Sequence, residues 1–139
     1  MSLGTAIPAL PVADIAAATG FYTQRLGFTV VHKSPDFAIV ARDHCTLHLW
    51  LADDRSWPDR RDLSRRPIRS GAESFLAGTA SCRIEVPEAA ALHALSDEMR
   101  TAQTLHRASR DGVTSTDYGH LELHVSDRDG NLLSFFTRL

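Results

Sequence analysis

Two stretches of this chain alternate apolar and polar residues with a period of two. CTLHLWL at 45–51 sets Leu47 and Leu49 against His48 and Trp50, and HLELHV at 120–125 sets Leu121, Leu123 and Val125 against His120, Glu122 and His124. Such alternation predicts strands with one face on a core and the other open. FTVVHK at 28–33 and DFAIVA at 36–41 are further β-rich runs, divided from their neighbours by the turn-like SPD and RDH. Between 15 and 26 the period lengthens: Ile15, Ala18, Phe21 or Tyr22, and Leu26 fall at helical spacing. Asp14 is a suitable N-cap, and Gly27 suits the left-handed position beyond the last turn. TAIPALPV at 5–12 predicts a short strand in which Pro8 and Pro11 remove two backbone donors. That confines it to a sheet edge, a bulge or an exchange between subunits. The first half therefore has the order βαβββ.

The second half repeats the order without repeating the residues. TASCRIEV predicts a strand, Pro87 suits a first helical turn, and Ala91, Leu92, Leu95 and Met99 form an apolar stripe running to about Arg100. TLHRAS, HLELHV and NLLSFFT follow as three strands, with turns at Asp111-Gly112 and Asp129-Gly130. The predicted fold is α+β: one domain over 1–139, built from two βαβββ modules at about 5–51 and 75–137 whose sheets curve around a shared concave surface. Between them, 52–74 carries six arginines, five acids and two prolines, which predicts a surface loop whose charges nearly cancel.

A chain of 139 residues confines function to one cleft or a subunit interface. The net charge of −2 supplies no global basic field for nucleic acid or an anionic membrane, so neither is an expected partner. There are only two cysteines, Cys45 and Cys82, both within apolar runs and without metal-type spacing. They read as reduced buried thiols, and with no signal-like start and no apolar run of membrane-spanning length the expectation is a cytoplasmic protein. The chain contains no Gly-rich phosphate loop and no Gly-x-Ser-x-Gly elbow, and Ser81, Ser134, Cys45 and Cys82 lack any sign of activation.

The polar face of the 120–125 strand is the densest candidate chemistry. Extended upstream, it places Tyr118, His120, Glu122 and His124 on one side. His-x-Glu-x-His can bind a metal, yet same-face neighbours lie about 6.6–7 Å apart along a strand. Convergence on one ion at about 2 Å therefore needs a bulge or a ligand from elsewhere. The same face can equally line a cleft that works without metal, or turn to solvent or a partner subunit.

IPALPVAD, GFYTQRLGFTVV, DFAIVARD, SFLAGTASCRIEV and DRDGNLLSFF, in this order, resemble the bleomycin resistance proteins, within the vicinal oxygen chelate superfamily of glyoxalases and dioxygenases. The resemblance spans about 5–137 and fails mainly in the 52–74 loop. It implies the glyoxalase/bleomycin resistance fold and a cytoplasmic homodimer with the first strand exchanged near Pro8. It also implies interfacial clefts that sequester a bleomycin-type glycopeptide antibiotic without altering it, with no cofactor and no catalysis. Metalloenzymes of the superfamily place ligands at positions that fall here on Ile7, Ser81 and Ser134, none a good ligand, with His48 near a fourth; one imidazole does not hold a catalytic ion. The competing expectation is a metal-dependent lyase, dioxygenase or thiol transferase using His48, His120, Glu122 or His124. A third is a binder of some metabolite unrelated to antibiotics.

By the same resemblance, Phe37 and Tyr118 occupy positions whose rings sandwich the drug's flat bithiazole. Stacking on each contributes about 1–3 kcal/mol by analogy with base stacking. Micromolar affinity requires about 8 kcal/mol, so charge must add to it. Asp36, Asp117 and Glu122 are the acids placed to meet the drug's cationic tail. His48, Trp50 and His120 are further candidate ligand contacts, and Trp57, before Pro58, is placed to close over a ligand or to anchor the loop. The chain departs from the family in its near-neutral charge, its Arg-rich loop, and a tyrosine at 118 where tryptophan is usual.

Overall fold

A computed structural model describes residues 1–52, 59, 61, 62, 64, 65 and 76–139. Trp57 and most of the expected linker lie outside the described residues. Module one runs β1 (Ala9–Val12), α1 (Ile15–Gln24), β2 (Thr29–Ser34), β3 (Phe37–Arg42) and β4 (Cys45–Leu51). Module two runs β5 (Ser81–Glu85), α2 (Ala89–Thr101), a 3-10 turn (Arg107–Ser109), β6 (Thr114–Ser115), β7 (His120–Ser126) and β8 (Leu132–Arg138). Among the described residues these strands form two four-stranded mixed sheets, ordered β1-β4-β3-β2 and β5-β8-β7-β6. In each, the first strand lies parallel to the last and the other pairs are antiparallel. The duplicated α+β fold is thus present.

Local chemistry explains the element ends. The Asp14 carboxylate accepts from the Ala17 N–H at 2.8 Å and starts α1. Gly27, at φ 73°, ends the chain's helical course, with the Phe28 N–H donating back to the Tyr22 carbonyl at 3.0 Å. β1 is an edge strand, where a proline at position 11 costs no ladder bond to an outer neighbour.

Three boundaries differ from the sequence expectation. The first strand begins at Ala9 rather than near residue 5, although the Pro8 carbonyl still accepts from the His48 N–H at 2.9 Å. Pro87 precedes α2, whose N-cap is Glu88. TLHRAS is not a strand: Leu105 makes one bridge to Val125, and His106 then turns the chain, its ring accepting from the Ala108 N–H at 3.1 Å. The short Thr114–Ser115 strand takes the place in the sheet that TLHRAS was expected to fill, which preserves the βαβββ order.

The core faces of both sheets share one apolar cluster, including Leu10, Tyr22, Leu47, Leu49, Leu92, Met99, Leu123 and Leu133. Polar contacts also join the modules. Tyr22 donates to Asp127 at 2.9 Å, the Asn131 amide donates to the Pro11 carbonyl at 2.9 Å, and the Ala13 N–H donates to Asp129 at 2.8 Å. At the surface, Arg42 forms a two-pronged pair with Glu98 at 3.0 and 2.8 Å. Helices and core occupy one side of each sheet, so candidate chemistry is left on the other.

Candidate functional site

On module one the strand parity expected from the sequence holds. Ala38, Val40, Leu47 and Leu49 are fully buried, while Phe37 and Trp50 stay out of that cluster. Register sets Phe37 opposite Trp50 and Ile39 opposite His48. The Phe37 ring lies 5.1 Å from Trp50 at a 55° tilt, 5.0 Å edge-on from His48, and 5.8 Å from His32. These rings form one aromatic patch, in which Trp50 is 46% exposed and His32 is exposed as well. Contacts of this kind restrain each ring and leave an apolar surface for a planar ligand. Asp36, exposed at the patch border, accepts from the Ser34 hydroxyl at 3.1 Å.

Module two presents a polar counterpart. Tyr118 lies in the turn before β7 rather than on the strand, but its ring folds back onto the same face, 4.9 Å edge-on from His120. Its hydroxyl donates to Glu122 Oε1 at 2.5 Å. Arg83 Nη1 reaches the same oxygen at 2.9 Å, and His124 Nε2 stands 3.3 Å from Oε2. Ser134 Oγ lies 2.8 Å from His124 Nδ1, so the imidazole bridges the serine hydroxyl and the carboxylate. Arg83 also lies over the Phe136 ring at 4.4 Å, and His120 stacks on Phe136 at 5.0 Å. Asp117 is exposed beside Tyr118.

Glu122 is only 8% exposed, and its donors hold the carboxyl below the usual carboxylate range. The Tyr118 hydroxyl bond contributes most, against burial, with Arg83 next. The same bond raises the Tyr118 phenol above its ordinary value. Arg83, Ser134 and His32 are members that the sequence reading did not assign to a ligand face, whereas His124 stands on the face it expected. For Arg83 a signal for its face was available in parity, since Ser81, Arg83 and Glu85 alternate with the more buried Cys82 and Ile84.

The donor set does not suit a metal ion. Both Glu122 oxygens are already engaged, His120 turns to Arg83 at 3.3 Å, and Ser134 is bonded to His124. Among the described residues no three His, Cys, Asp or Glu side chains converge as a ligand group. Neither cysteine is an activated nucleophile: both are free and half-buried, and burial pushes the Cys82 thiol up to about 11 and raises Cys45 as well. Among the described residues no ring contact or hydrogen bond joins the aromatic patch to the Tyr118–Glu122 cluster. One chain carries two separate half-faces.

Residues 7–41 match the family model for the bleomycin resistance protein-like N-terminal region. Along nearly its whole length the chain is 41% identical to bleomycin resistance proteins of Geobacillus stearothermophilus and Staphylococcus aureus, over 133 residues and 96% of each chain. The chain belongs to the bleomycin resistance protein family. The fold agrees with that membership. The bleomycin-binding protein of bleomycin-producing Streptomyces verticillus, solved with copper(II)-bleomycin, superposes at a TM-score of 0.69 with 24% identity, over 97% of this chain and 96% of that one. A lactoylglutathione lyase from Agrobacterium tumefaciens superposes at 0.68 with 17% identity, over 99% and 96%. A binding protein and a lyase thus share this fold equally well, and function has to be argued from side chains.

Proposed function

We propose that this family member binds a bleomycin-type glycopeptide stoichiometrically and withholds it unchanged, in clefts completed by two copies of the chain. The observation that carries the reading is the pairing of an exposed aromatic patch on module one with a held tyrosine on module two, in a relative of bleomycin resistance proteins. Planar heteroaromatic rings stack on either surface without needing exact polar partners. Because the two half-faces of one chain do not touch, module one of one copy facing module two of another is the arrangement that closes a sandwich. Leu3 and Ile7, exposed in the segment before β1, support pairing of copies. So does the groove of about 1080 Å³ that this segment helps to line, where Ile7, Leu47, Ile84 and Leu95 stand together with charged residues such as Arg42 and Glu98. Exchange of the first strand near Pro8 fits the same segment. The two free thiols are consistent with a reducing cytoplasm as the protein's location, and among the described residues no helix is long and apolar enough to cross a membrane.

The test is calorimetric titration with metal-free and copper-loaded bleomycin. Phe37→Ala and Tyr118→Ala should each weaken binding at least about tenfold, or roughly 1.4 kcal/mol. Unchanged affinity in both variants would remove the sandwich. Refolding equal amounts of the two variant chains together separates a shared cleft from a single-chain one: in a mixed dimer one of the two clefts retains both Phe37 and Tyr118, so with random pairing about a quarter of the wild-type sites should reappear. No recovery on mixing would show that each chain binds alone.

A further inference from the structure

Tyr118 poses a mechanical problem for any role as a stacking surface. It sits in a turn, is 60% exposed, and packs only one edge against His120. A ring so placed ordinarily samples several rotamers, and fixing it on ligand binding lowers affinity. Here the hydroxyl is bonded to a nearly buried carboxylate that is itself gripped from two other sides, by Arg83 on Oε1 and His124 on Oε2. Arg83 is immobilised in turn by Phe136 and His120, and His124 by Ser134. The chain of contacts runs from the sheet face out to the exposed ring. A tryptophan, with its single donor in a different place, could not use this carboxylate through a para hydroxyl.

We propose that Glu122 is a positioning residue of the ligand cleft: through the Tyr118 hydroxyl it fixes the exposed ring as a preorganised stacking platform, with Arg83 and His124 holding the carboxylate in place. The inference rests on the reading that Tyr118 stacks on the ligand. It assigns Glu122 away from the cationic part of the ligand, because its charge is already met by Arg83 and its oxygens are already used.

The experiment combines a double-mutant cycle with a titration of the free protein. Tyr118→Phe retains the ring and loses the tether. It should weaken copper-bleomycin binding about fivefold, the weight of one hydrogen bond. Glu122→Leu should weaken it by a similar factor, the double variant by no more than either single one, and Glu122→Gln, which keeps an accepting oxygen, should recover part of the loss. Tyr118→Phe binding as tightly as wild type, or the two losses multiplying in the double variant, would overturn the proposal. The second readout needs no ligand. The chain has two tyrosines, both raised above their ordinary value, and the ultraviolet absorbance change missing from Tyr118→Phe isolates the Tyr118 phenol. It should ionise at higher pH in wild type than in Glu122→Leu. Should wild type fail to bind any form of bleomycin, the functional reading falls, while a Tyr118 titration unchanged by Glu122→Leu would sink the tether independently.

Discussion

Tyr22→Phe removes a single oxygen from the contact that ties α1 of module one to the β7–β8 turn of module two. Asp127 is 6% exposed, and it accepts from the backbone N–H groups of Asp129, Gly130 and Asn131 on Oδ1, each at 2.9 Å. On Oδ2 it has two donors, the Tyr22 hydroxyl and the Asn131 amide, both at 2.9 Å. The substitution leaves that oxygen with one donor and no water in reach of a fully buried ring. A hydrogen bond to a charged group contributes about 1.5–3 kcal/mol. The phenyl ring itself keeps its edge contacts with Phe28 and Phe21, so no cavity term is added. With an unfolding entropy of about 2.1 cal/mol/K per residue, a chain of this length should melt roughly 5–10 °C lower. Thermal and urea melts followed by far-UV circular dichroism measure this, and the urea slope should not change. A midpoint within about 1 °C of wild type would refute the claim that this bond joins the modules. The phenol is also raised well above its ordinary 10, by burial first and then by Asp127. Folding therefore favours the neutral form: its contribution is whole below about pH 10 and is lost as pH rises beyond it. In Tyr22→Phe that alkaline loss should shrink.

Two further outcomes follow from close contacts elsewhere. Gly78 adopts φ 77°, and a Cβ there would stand 2.0 Å from the Asp129 carbonyl oxygen, a backbone atom that cannot swing aside. Gly78→Ala should cost more than about 2 kcal/mol in a urea melt, combining left-handed strain with the clash; a loss under about 0.5 kcal/mol would contradict the close approach of the two turns. Glu122, held below its ordinary 4.5, contributes stability that is present above that value and is lost as pH falls through its lowered folded value. The stability difference between wild type and Glu122→Gln should therefore narrow in acid. Asp129, raised mainly by burial, titrates in the opposite sense, but it is common to both proteins and cancels.

The sequence made the sheets legible because their two faces differ in chemistry. Leu47 and Leu49 against His48 and Trp50, or Leu123 and Val125 against Glu122 and His124, leave one choice of buried face, and the structure adopts it. Gly27 was equally readable, since a glycine just past an apolar helical stripe has one common use. TLHRAS misled because its apolar residues are too few to define a period, and a local cap at His106 outweighed weak strand propensity. Tyr118 was placed on the correct face for a partly wrong reason. Strand parity does not extend to it; the bond to Glu122 does the work instead. Parity alone put Arg83 on the open face, but its partners depend on β5 lying beside β8, which brings it over Phe136 and within reach of β7, a pairing that no local pattern encodes.

Glu122 changes how charge must operate in the cleft. Read from sequence, three acids stood ready for a cationic ligand tail. In the fold, Glu122 faces an arginine, a tyrosine hydroxyl and a histidine, so it brings little net negative potential to the surface. Among the described residues Asp36 and Asp117 have no guanidinium partner, and both are exposed at the border of a stacking face, one beside Phe37 and one beside Tyr118. Exposed carboxylates act over about 10 Å at 0.1 M salt, steering a cation and fading as salt rises, whereas a buried pair is screened far less. Under the proposed function, attraction of a cationic tail would fall to Asp36 and Asp117 and orientation of the ring to Glu122. That division lets a chain of nearly neutral net charge combine a local negative rim with a fixed aromatic surface, where a more acidic protein would depend on its overall field.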